Sequence, residues 1–299
     1  MELRHLRYFL AVAEERNFTR AAARVGIGQP PLSQQIRDLE TEVGAPLFHR
    51  VPHGAELTEA GKAFLEVATG ILVQADQAKT AALRAARGET GRLRVGFTGS
   101  AAFNPVVPGR IRAYRRACPG VDLSLSERNT VQLIEALHKG DIDIGFIRPG
   151  TENPDGLRLH RFADEPMVIA VPAAHPIAKL AEAPLSRLAK EPFVLYPRAV
   201  CLGLYEEVLH HCHREGFSPD LVQEAPQMAS VVNLVAAEMG VSIVPRSMAQ
   251  VRVMGVAYVP FAGEGPVARL ACAMRRTETA PAARNFLAMA ADLDRPQVG

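Results

Sequence analysis

Apolar residues recur at helical spacing in three segments at the start of the chain. The three stripes are Leu3, Leu6, Phe9, Leu10 and Ala13, then Ala21, Ala22 and Val25, then Leu32, Ile36, Leu39 and Val43. Spacings of three and four residues place each stripe on one face of a helix. The pattern therefore predicts three short helices that bury their apolar faces in a common core.

The second and third predicted helices are separated by a tight break. Gly26 and Gly28 permit a sharp turn, and Pro30 and Pro31 suit the first turn of the next helix, where a missing N–H costs little. Thr19 is the expected cap of the second helix, because its hydroxyl can accept a backbone hydrogen bond. This pattern is typical of a helix-turn-helix whose second helix shows polar groups to a DNA major groove. A generic helical hairpin is the alternative.

The residues that fill this pattern resemble those of a known family. The matching segments are Phe18-Thr19-x-Ala21-Ala22, Gln29-Pro30-x-Leu32-Ser33-x-Gln35-Ile36, Leu39-Glu40, Gly44, Leu47-Phe48-x-Arg50 and Leu57-Thr58-x-Ala60-Gly61. In this order they resemble the N-terminus of a LysR-type transcriptional regulator, and the downstream pattern fits the same family. Two positions depart from it: Gly28 stands where a serine is usual, and His53 where an arginine is common.

Two short strands joined by a turn at residues 51–54 are predicted after the third helix and would form a wing. The residues expected to contact DNA are Thr19, Arg20, Gln29, Pro30, Ser33, Gln34, Arg37, Arg50 and His53. Polar side chains on the third helix are expected at base edges, whereas Arg37 and Arg50 are expected mainly at phosphates. His53 has an alternative interpretation as an uninvolved surface residue of the turn.

Charge adds no support for DNA binding. The net charge is +2, and residues 1–62 contain eight Lys or Arg against eight Asp or Glu. A basic patch is the usual electrostatic footprint of a protein that binds nucleic acid. Here such a patch would have to come from uneven placement of the charges, so the motif carries the prediction.

Composition indicates a cytoplasmic protein with more than one domain. The chain has 299 residues, of which 48% are hydrophobic, so it can bury sizeable cores. No apolar run approaches the roughly 20 residues of a membrane span, and the N-terminus does not resemble a signal peptide. Scattered cysteines at 118, 201, 212 and 272 favour buried thiols in a reducing compartment.

The segment after the wing has a heptad pattern. Thr58 is the expected cap of a helix that runs to about Arg87. The apolar positions, at alternating spacings of four and three, are Phe64, Ala68, Ile71, Ala75, Ala78, Ala82 and Ala85. Such a seam of small residues predicts close pairing of two chains; packing of the helix on its own protomer is the alternative.

From Arg92 onward, predicted strands alternate with predicted helices. Such βαβ units imply a largely parallel sheet with helices on both faces. The resemblance implies two Rossmann-like lobes joined by two crossovers, as in periplasmic solute-binding proteins, with a ligand cleft between them. The predicted fold is therefore α/β overall: an N-terminal winged helix-turn-helix, a long linker helix and a C-terminal two-lobed, periplasmic-binding-protein-like effector domain.

The expected domain boundaries follow from these elements. They are 1–58 for the DNA-binding domain, 59–87 for the linker and dimerisation helix, 88–91 for a hinge, 92–162 with 267–299 for effector lobe I, and 163–266 for effector lobe II. The crossovers are placed near Arg161–Asp164 and Gly265–Ala268.

Three predicted strand ends carry groups suited to an anion. Ser100 follows the first strand of the C-terminal region, Asn129 and Thr130 follow the second, and Arg148 follows the third. Helix N-termini favour anions, and an arginine can bind a carboxylate with two hydrogen bonds. Alternatively, Ser100 and Thr130 are plain helix caps, and Arg148 pairs with Glu127 or Asp143.

The same arrangement resembles the muconate-sensing branch of the family, which regulates aromatic catabolism. In that branch a Leu-Tyr-Pro segment, here Leu195-Tyr196-Pro197, begins the opposite wall of the cleft. The residues expected to bind the effector are Gly99, Ser100, Asn129, Thr130, Arg148, Pro197, Cys201 and Leu204.

Other chemistries receive weaker support. The run His210-His211-Cys212-His213 has poor spacing for a metal site, because adjacent helical residues point apart. Cys201 and Cys212 resemble the cysteine pair of peroxide-sensing members, with Arg198 placed to lower a thiol pKa; two ordinary thiols are the alternative. The glycine spacing needed for a dinucleotide is missing. No metal, cofactor or catalytic residue is predicted.

The sequence therefore predicts a regulator that binds double-stranded DNA as a dimer or tetramer and responds to a small anionic effector. The alternatives are a redox-sensing regulator that uses Cys201, a solute-binding protein and a Rossmann-like enzyme.

Overall fold

The computed structural model describes residues 1–52 and 54–292. The chain divides into two compact units, with the division between Arg84 and Ala85. Within the described residues no helix is both long and apolar enough to cross a membrane.

Helices and strands alternate through most of the chain. The helices are α1 (Leu3–Glu15), α2 (Phe18–Val25), α3 (Gln29–Val43), α4 (Glu59–Ala86), α5 (Gly99–Ala102), α6 (Val106–Ala117), α7 (Thr130–Lys139), α8 (Leu202–Arg214), α9 (Met228–Ala236) and α10 (Pro281–Asp292). The strands are β1 (Phe48–Val51), β2 (Gly54–Leu57), β3 (Thr90–Phe97), β4 (Gly120–Glu127), β5 (Ile144–Ile147), β6 (Leu157–Arg161), β7 (Glu165–Pro172), β8 (Pro192–Leu195), β9 (Asp220–Glu224), β10 (Ser242–Pro245), β11 (Val256–Val259), β12 (Val267–Ala268) and β13 (Ala271–Arg275). Short 3-10 helices lie at Pro176–Lys179, Leu185–Leu188 and Arg246–Gln250.

The N-terminal unit is a winged helix-turn-helix, as predicted. Helices α1 to α3 enclose a core centred on Phe9, whose ring lies 5.1 Å from that of Phe48 and 5.0 Å from that of Phe64. Strands β1 and β2 pair antiparallel to form the wing. Two outer members of the predicted stripes, Leu3 and Val43, are exposed, because each lies at a helix end beyond the reach of the core.

The cap of α2 differs from the prediction. Asn17, not Thr19, is the N-cap residue, and its side-chain oxygen accepts hydrogen bonds from the backbone N–H groups of Thr19 and Arg20 at 2.9 and 3.1 Å. The helix therefore begins at Phe18. Gly28 caps α3 without a side-chain hydrogen bond, which agrees with the missing serine at this position.

The long helix α4 has two different halves. Thr58 precedes it and accepts a hydrogen bond from the N–H of Gly61 at 2.8 Å, as a cap should. Ala68 is buried, and Phe64 and Ile71 pack against the core of the N-terminal unit. From Ala78 to Ala86 every residue is exposed. The first half of the predicted seam thus packs within its own chain, and the second half is free.

The C-terminal unit contains two main sheets. The first has the strand order β4-β3-β5-β13-β6, and β3 pairs parallel with both β4 and β5. In the second, β7 pairs antiparallel with β10 and β11, and with β12 at its start. Strands β8 and β9 form a further parallel pair.

The prediction of a largely parallel sheet is therefore correct only for β3 with β4 and β5, because the other pairings of the two main sheets are antiparallel. Two neighbouring connections join the sheets, one from β6 to β7 and the other from β12 to β13. The chain leaves the first sheet by one and returns by the other, so β13 lies antiparallel to β6 and β12 antiparallel to β7. The second of these connections is short, because only residues 269 and 270 lie between β12 and β13.

Candidate functional site

One face of α3 is exposed and polar. Gln29, Pro30, Gln34 and Arg37 lie on it. The side chains of this face are linked, because Gln34 Nε2 donates to Asp38 Oδ1 at 2.8 Å and an Arg37 guanidinium N–H donates to Gln34 Oε1 at 2.6 Å. The amide and guanidinium groups are therefore oriented in the absence of DNA, which limits the entropy lost when they bind.

Ser33 is not part of the exposed face, contrary to the prediction. Only 5% of the residue is exposed, and its hydroxyl accepts a hydrogen bond from Gln29 Nε2 at 2.9 Å. Ser33 lies beside the buried stripe of Leu32 and Ile36, so its short side chain is covered. Its contact with Gln29 orients an exposed amide instead.

The remaining residues predicted to contact DNA lie at the start of α2 and in the wing. Thr19 and Arg20 are exposed, although Arg20 forms an ion pair with Glu15 at 3.6 Å. The exposed guanidinium of Arg50 lies 5.4 Å from the ring centroid of Phe18, which fixes it against the helix-turn-helix. His53 lies outside the described residues.

The C-terminal unit contains a cavity of about 650 Å³ at the carboxyl ends of β3, β4 and β8. It is lined by Thr98, Gly99, Ser100, Ala102, Phe103, Glu127, Arg128, Asn129, Gln132, Tyr196, Val200, Cys201, Pro226, Gln227, Met228 and Ala229. Ligands of open α/β sheets bind at this edge, where strands end and helices begin.

Four of the eight predicted effector residues line this cavity. Gly99, Ser100, Asn129 and Cys201 contribute to its wall. Gly99 permits a close approach, because a Cβ there would lie 2.7 Å from Glu127 Oε1.

The other four predicted residues do not line the cavity: Thr130, Arg148, Pro197 and Leu204. Leu204 points into the core of the second sheet. Thr130 is buried, and its hydroxyl accepts a hydrogen bond from the backbone N–H of Arg148 at 3.3 Å.

Arg148 is buried behind the cavity wall, with 1% of the residue exposed. Its guanidinium donates to Glu165 Oε2 at 2.9 Å, to the carbonyl of Ser100 at 3.3 Å and to the carbonyl of Ala268 at 3.2 Å. Neither alternative partner, Glu127 or Asp143, is involved: Asp143 binds Arg94 at 2.6 Å. The predicted contact between Arg148 and an effector anion is therefore not what this geometry provides.

Glu165 completes this buried group. Its other carboxylate oxygen accepts the backbone N–H of Ser247 at 2.7 Å, and Asn104 Nδ2 donates to Oε2 at 2.8 Å. Burial acts to raise the pKa of Glu165, but the Arg148 charge and the hydrogen bonds from Ser247 and Asn104 outweigh it, so the pKa lies below its usual value. Both side chains of the pair therefore carry a charge, and the two opposite charges cancel.

Helix N-termini supply the donors of the cavity. Asn129 caps α7 by accepting the N–H of Gln132 at 2.8 Å, so Thr130 is not the cap. Helix α9 begins at the cavity without any side-chain cap on Gln227. Within the part of the chain that the structure describes, the backbone N–H groups of Met228 and Ala229 have no acceptor. Together with the helix dipoles they favour a negative group.

The cavity also includes residues that sequence reasoning missed. Thr98, Tyr196 and Gln227 all lie directly after or near the end of a strand. The rule that pointed to Ser100 and Asn129 applies equally to Gln227, which precedes α9. Tyr196 belongs to the Leu-Tyr-Pro segment and gave no separate signal.

The cysteines are poor redox sites. Cys201 and Cys212 are free and buried, and burial raises the pKa of their thiols to about 11 and about 12. Arg198 does not counter this effect, because it pairs with Glu206 at 2.7 Å. Across residues 1–52 and 54–292 no group of His, Cys, Asp and Glu side chains could hold a metal ion.

Two family models match the chain. The model for "Bacterial regulatory helix-turn-helix protein, lysR family" matches residues 3–62, and the model for "LysR substrate binding domain" matches residues 86–295. Together they cover most of the sequence and coincide with the helix-turn-helix and with the sheets around the cavity.

Relatives and solved structures agree with these matches. The uncharacterized HTH-type transcriptional regulator YnfL of Escherichia coli (strain K12) is 42% identical, covering 96% of each chain. Full-length CbnR, a LysR family regulator solved with its target DNA, is 29% identical with a TM-score of 0.83 and covers 98% of this chain and 99% of its own. The BenM effector-binding domain, solved with its effector benzoate, is 27% identical with a TM-score of 0.60 and covers 68% of this chain and 91% of its own.

Membership of a single family thus accounts for the fold, the exposed polar face of α3 and the cavity at the strand ends. The chain belongs to the LysR family and is a DNA-binding transcriptional regulator with a C-terminal effector-binding domain.

Proposed function

We propose that the effector of this regulator is a small carboxylate that binds in the cavity beside Ser100, Asn129 and Met228. The observation that carries the proposal is the convergence of the α7 and α9 N-termini on one 650 Å³ cavity. The volume lies within the range of small-molecule sites. BenM, whose effector-binding domain was solved with benzoate, provides a related example.

The carboxylate is bound by neutral donors. The available donors are the backbone N–H groups at the start of α9 and those of Gly99 and Ser100, because the N–H groups of Asn129 and Gln132 in α7 are already paired with each other's side chains. Arg148 is already ion-paired, and Arg128 and Glu127 lie exposed at the wall with opposite charges. A small anion gains from dipoles and hydrogen bonds without a dedicated cation.

On the DNA side, we propose that Gln29, Pro30 and Gln34 face base edges. The surrounding residues are proposed to contact phosphate or the adjacent DNA backbone: Arg37, Arg50, Thr19 and Arg20. Ser33 is proposed to act by orienting the amide of Gln29, to which its hydroxyl is hydrogen-bonded. Loss of Gln34 should therefore change the preferred base, whereas loss of Arg50 should weaken all sequences alike.

Regulation follows if the effector prefers one arrangement of the protein. We propose the domain division predicted above, with self-association of the exposed half of α4 into dimers and of dimers into tetramers. The effector shifts the placement of the DNA-binding domains by binding one arrangement better than the other. The protein is proposed to act in the cytoplasm as a regulator, without enzymatic activity.

The test combines effector and DNA binding on the full chain. Thermal shift and calorimetry should detect benzoate or a similar small carboxylate, but not the matched amide, benzamide. Ala229→Trp should fill the cavity and abolish binding, because Ala229 lines it and is exposed. Ala237→Trp, at the far end of α9 and outside the cavity, is the control.

Gel shift with the DNA that flanks the protein's own gene measures DNA binding and its response to the carboxylate. Ala229→Trp should retain DNA binding but lose its response to the carboxylate. Equal binding of the acid to both tryptophan variants and to the unaltered protein would show that the effector site lies elsewhere.

A further inference from the structure

Two hydroxyl groups in the wall of the cavity have no hydrogen-bond partner. Thr98 follows β3 and Tyr196 follows β8, so they approach the cavity from different sheets. Tyr196 is 1% exposed and Thr98 is 5% exposed. Among the described residues, no atom accepts from or donates to either hydroxyl. Buried hydroxyls are nearly always paired, so two unpaired ones in one cavity require an explanation.

The surroundings of Tyr196 carry no free charge. Burial raises the pKa of Tyr196 well above its ordinary value, so the hydroxyl keeps its proton. Cys201 beside it is a protonated thiol for the same reason. Arg148 and Glu207 also act on Tyr196, but Arg148 is paired with Glu165 and Glu207 is paired with Arg269. The environment therefore favours a neutral polar group over a second anion.

A matched residue shows that the unpaired state is not a general property of buried tyrosines in this protein. Tyr114 is also 1% exposed, and its hydroxyl donates to the carbonyl of Ala282 at 3.1 Å. Both tyrosines belong to a buried core, but Tyr196 also lines the cavity, whereas Tyr114 does not. The unpaired hydroxyl of Tyr196 thus belongs to a residue in the wall of the cavity.

We propose that Thr98 and Tyr196 form a second subsite, which accepts an uncharged hydroxyl or ketone oxygen of the effector. The inference rests on the proposed function, since the carboxylate of the same molecule binds at the helix N-termini. The effector class is therefore a hydroxy or oxo acid and not a purely apolar acid. Each hydroxyl can donate one hydrogen bond and accept others, so both oxygen types fit.

The subsite determines specificity through the cost of leaving polar groups unpaired. A hydroxy or oxo acid supplies hydrogen-bond partners for the two hydroxyls, whereas a plain acid of the same size leaves them unpaired. Sites built to bind a ligand hydroxyl discriminate strongly against analogues that lack it. The full chain should bind 3-hydroxybenzoate or 4-hydroxybenzoate, or lactate or pyruvate, about tenfold or more tightly than benzoate or propanoate, respectively.

Calorimetry on the full chain tests this with matched pairs: benzoate against the two hydroxybenzoates, and propanoate against lactate and pyruvate. Tyr196→Phe should reduce the preference for the oxygenated acid to less than about twofold. Thr98→Val should reduce the preference in part. Tyr114→Phe, the matched control, should leave the preference intact.

Thermal unfolding without ligand gives an independent readout. Tyr196→Phe should leave the melting temperature unchanged or raise it, because an unpaired hydroxyl is removed, whereas Tyr114→Phe should lower it. A clear fall for Tyr196→Phe would show that its hydroxyl is already paired and would overturn the subsite.

The binding outcomes separate this inference from the proposed function. If the unaltered chain binds plain and oxygenated acids equally, the subsite is wrong and the carboxylate site stands. If the preference survives in both Tyr196→Phe and Thr98→Val, a different group recognises the oxygen and the subsite is again wrong. If none of the acids binds, the proposed function itself fails and the subsite fails with it.

Discussion

The Arg148–Glu165 pair shows how a single residue contributes to this fold. Burying two charges costs several kcal/mol each, and this cost is offset only when both partners are fully hydrogen-bonded. Arg148 here binds Glu165 and the carbonyls of Ser100 and Ala268, and Glu165 also accepts from Ser247 and Asn104. These bonds join residues of both sheets, so the pair links the two sheets within the C-terminal unit.

Arg148→Met should therefore destabilise the protein by about 3–5 kcal/mol, because Glu165 would remain as an uncompensated buried charge. Adding Glu165→Gln should restore part of the loss, since the second change removes that charge. Urea unfolding of the two variants measures both effects. The control is Arg198→Met at an exposed pair with Glu206, expected to cost about 1 kcal/mol or less. If Arg148→Met is stable but no longer binds the carboxylate, Arg148 is an effector-binding residue.

At the scale of elements, the ends of helices decide much of the local structure. Helix α2 is only eight residues long, so its cap matters more than its propensity. Asn17 supplies that cap to two N–H groups. In α3, Gly28 supplies none, and Pro30 and Pro31 remove two N–H groups that would otherwise need acceptors. A side chain thus binds the free N–H groups at the start of α2, whereas two prolines remove such groups at the start of α3.

Asn17→Ala should cost about 0.5–2 kcal/mol, because the N–H groups of Thr19 and Arg20 lose their acceptor. Thr19→Ala is the matched control and should be neutral or slightly stabilising, since Thr19 is exposed and alanine is the better helix former. Hydrogen exchange over residues 18–25 of the full chain reports both changes. Loss of protection in Thr19→Ala but not in Asn17→Ala would identify Thr19 as the cap after all.

For the whole molecule, the decisive feature is the division of α4. Its first half contributes Phe64, Ala68 and Ile71 to the N-terminal core, and the alternative of packing within one protomer is correct for these positions. The second half leaves Ala78, Ala82 and Ala85 exposed in a row of small residues. A helix surface of this kind allows close approach of a second helix. We therefore expect this row of small residues to be a contact in self-association.

The double variant Ala78→Glu with Ala82→Glu should weaken self-association by on the order of a hundredfold, because unpaired charges would be buried between chains. Light scattering should show a fall in mass with unchanged helix content. Thr80→Glu, on the opposite face of the same turns, is the control and should leave the mass unaltered. Ile71→Glu is unsuitable, since Ile71 packs on its own core. An unchanged mass in the double variant would show that this seam is not the dimer contact.

The sequence by itself determined the parts of this protein that depend on local periodicity. The helix-turn-helix, the wing, the length of α4 and the alternation of strands and helices all follow from spacings of two to seven residues, within reach of neighbours along the chain. The strand-end rule located Ser100 and Asn129 at the cavity, because the end of a strand is itself a local signal.

Only the tertiary structure decided which way each side chain at those ends points. Arg148 follows a strand just as Ser100 does, yet its partner Glu165 begins a strand of the second sheet, and no local pattern reveals that pairing. Ser33 is covered because it lies beside the core stripe. Tyr196 and Thr98 come together from strands about a hundred residues apart. Contacts between distant segments depend on the packing of whole elements, and this packing places Arg148 behind the wall of the cavity that Ser100 and Asn129 line.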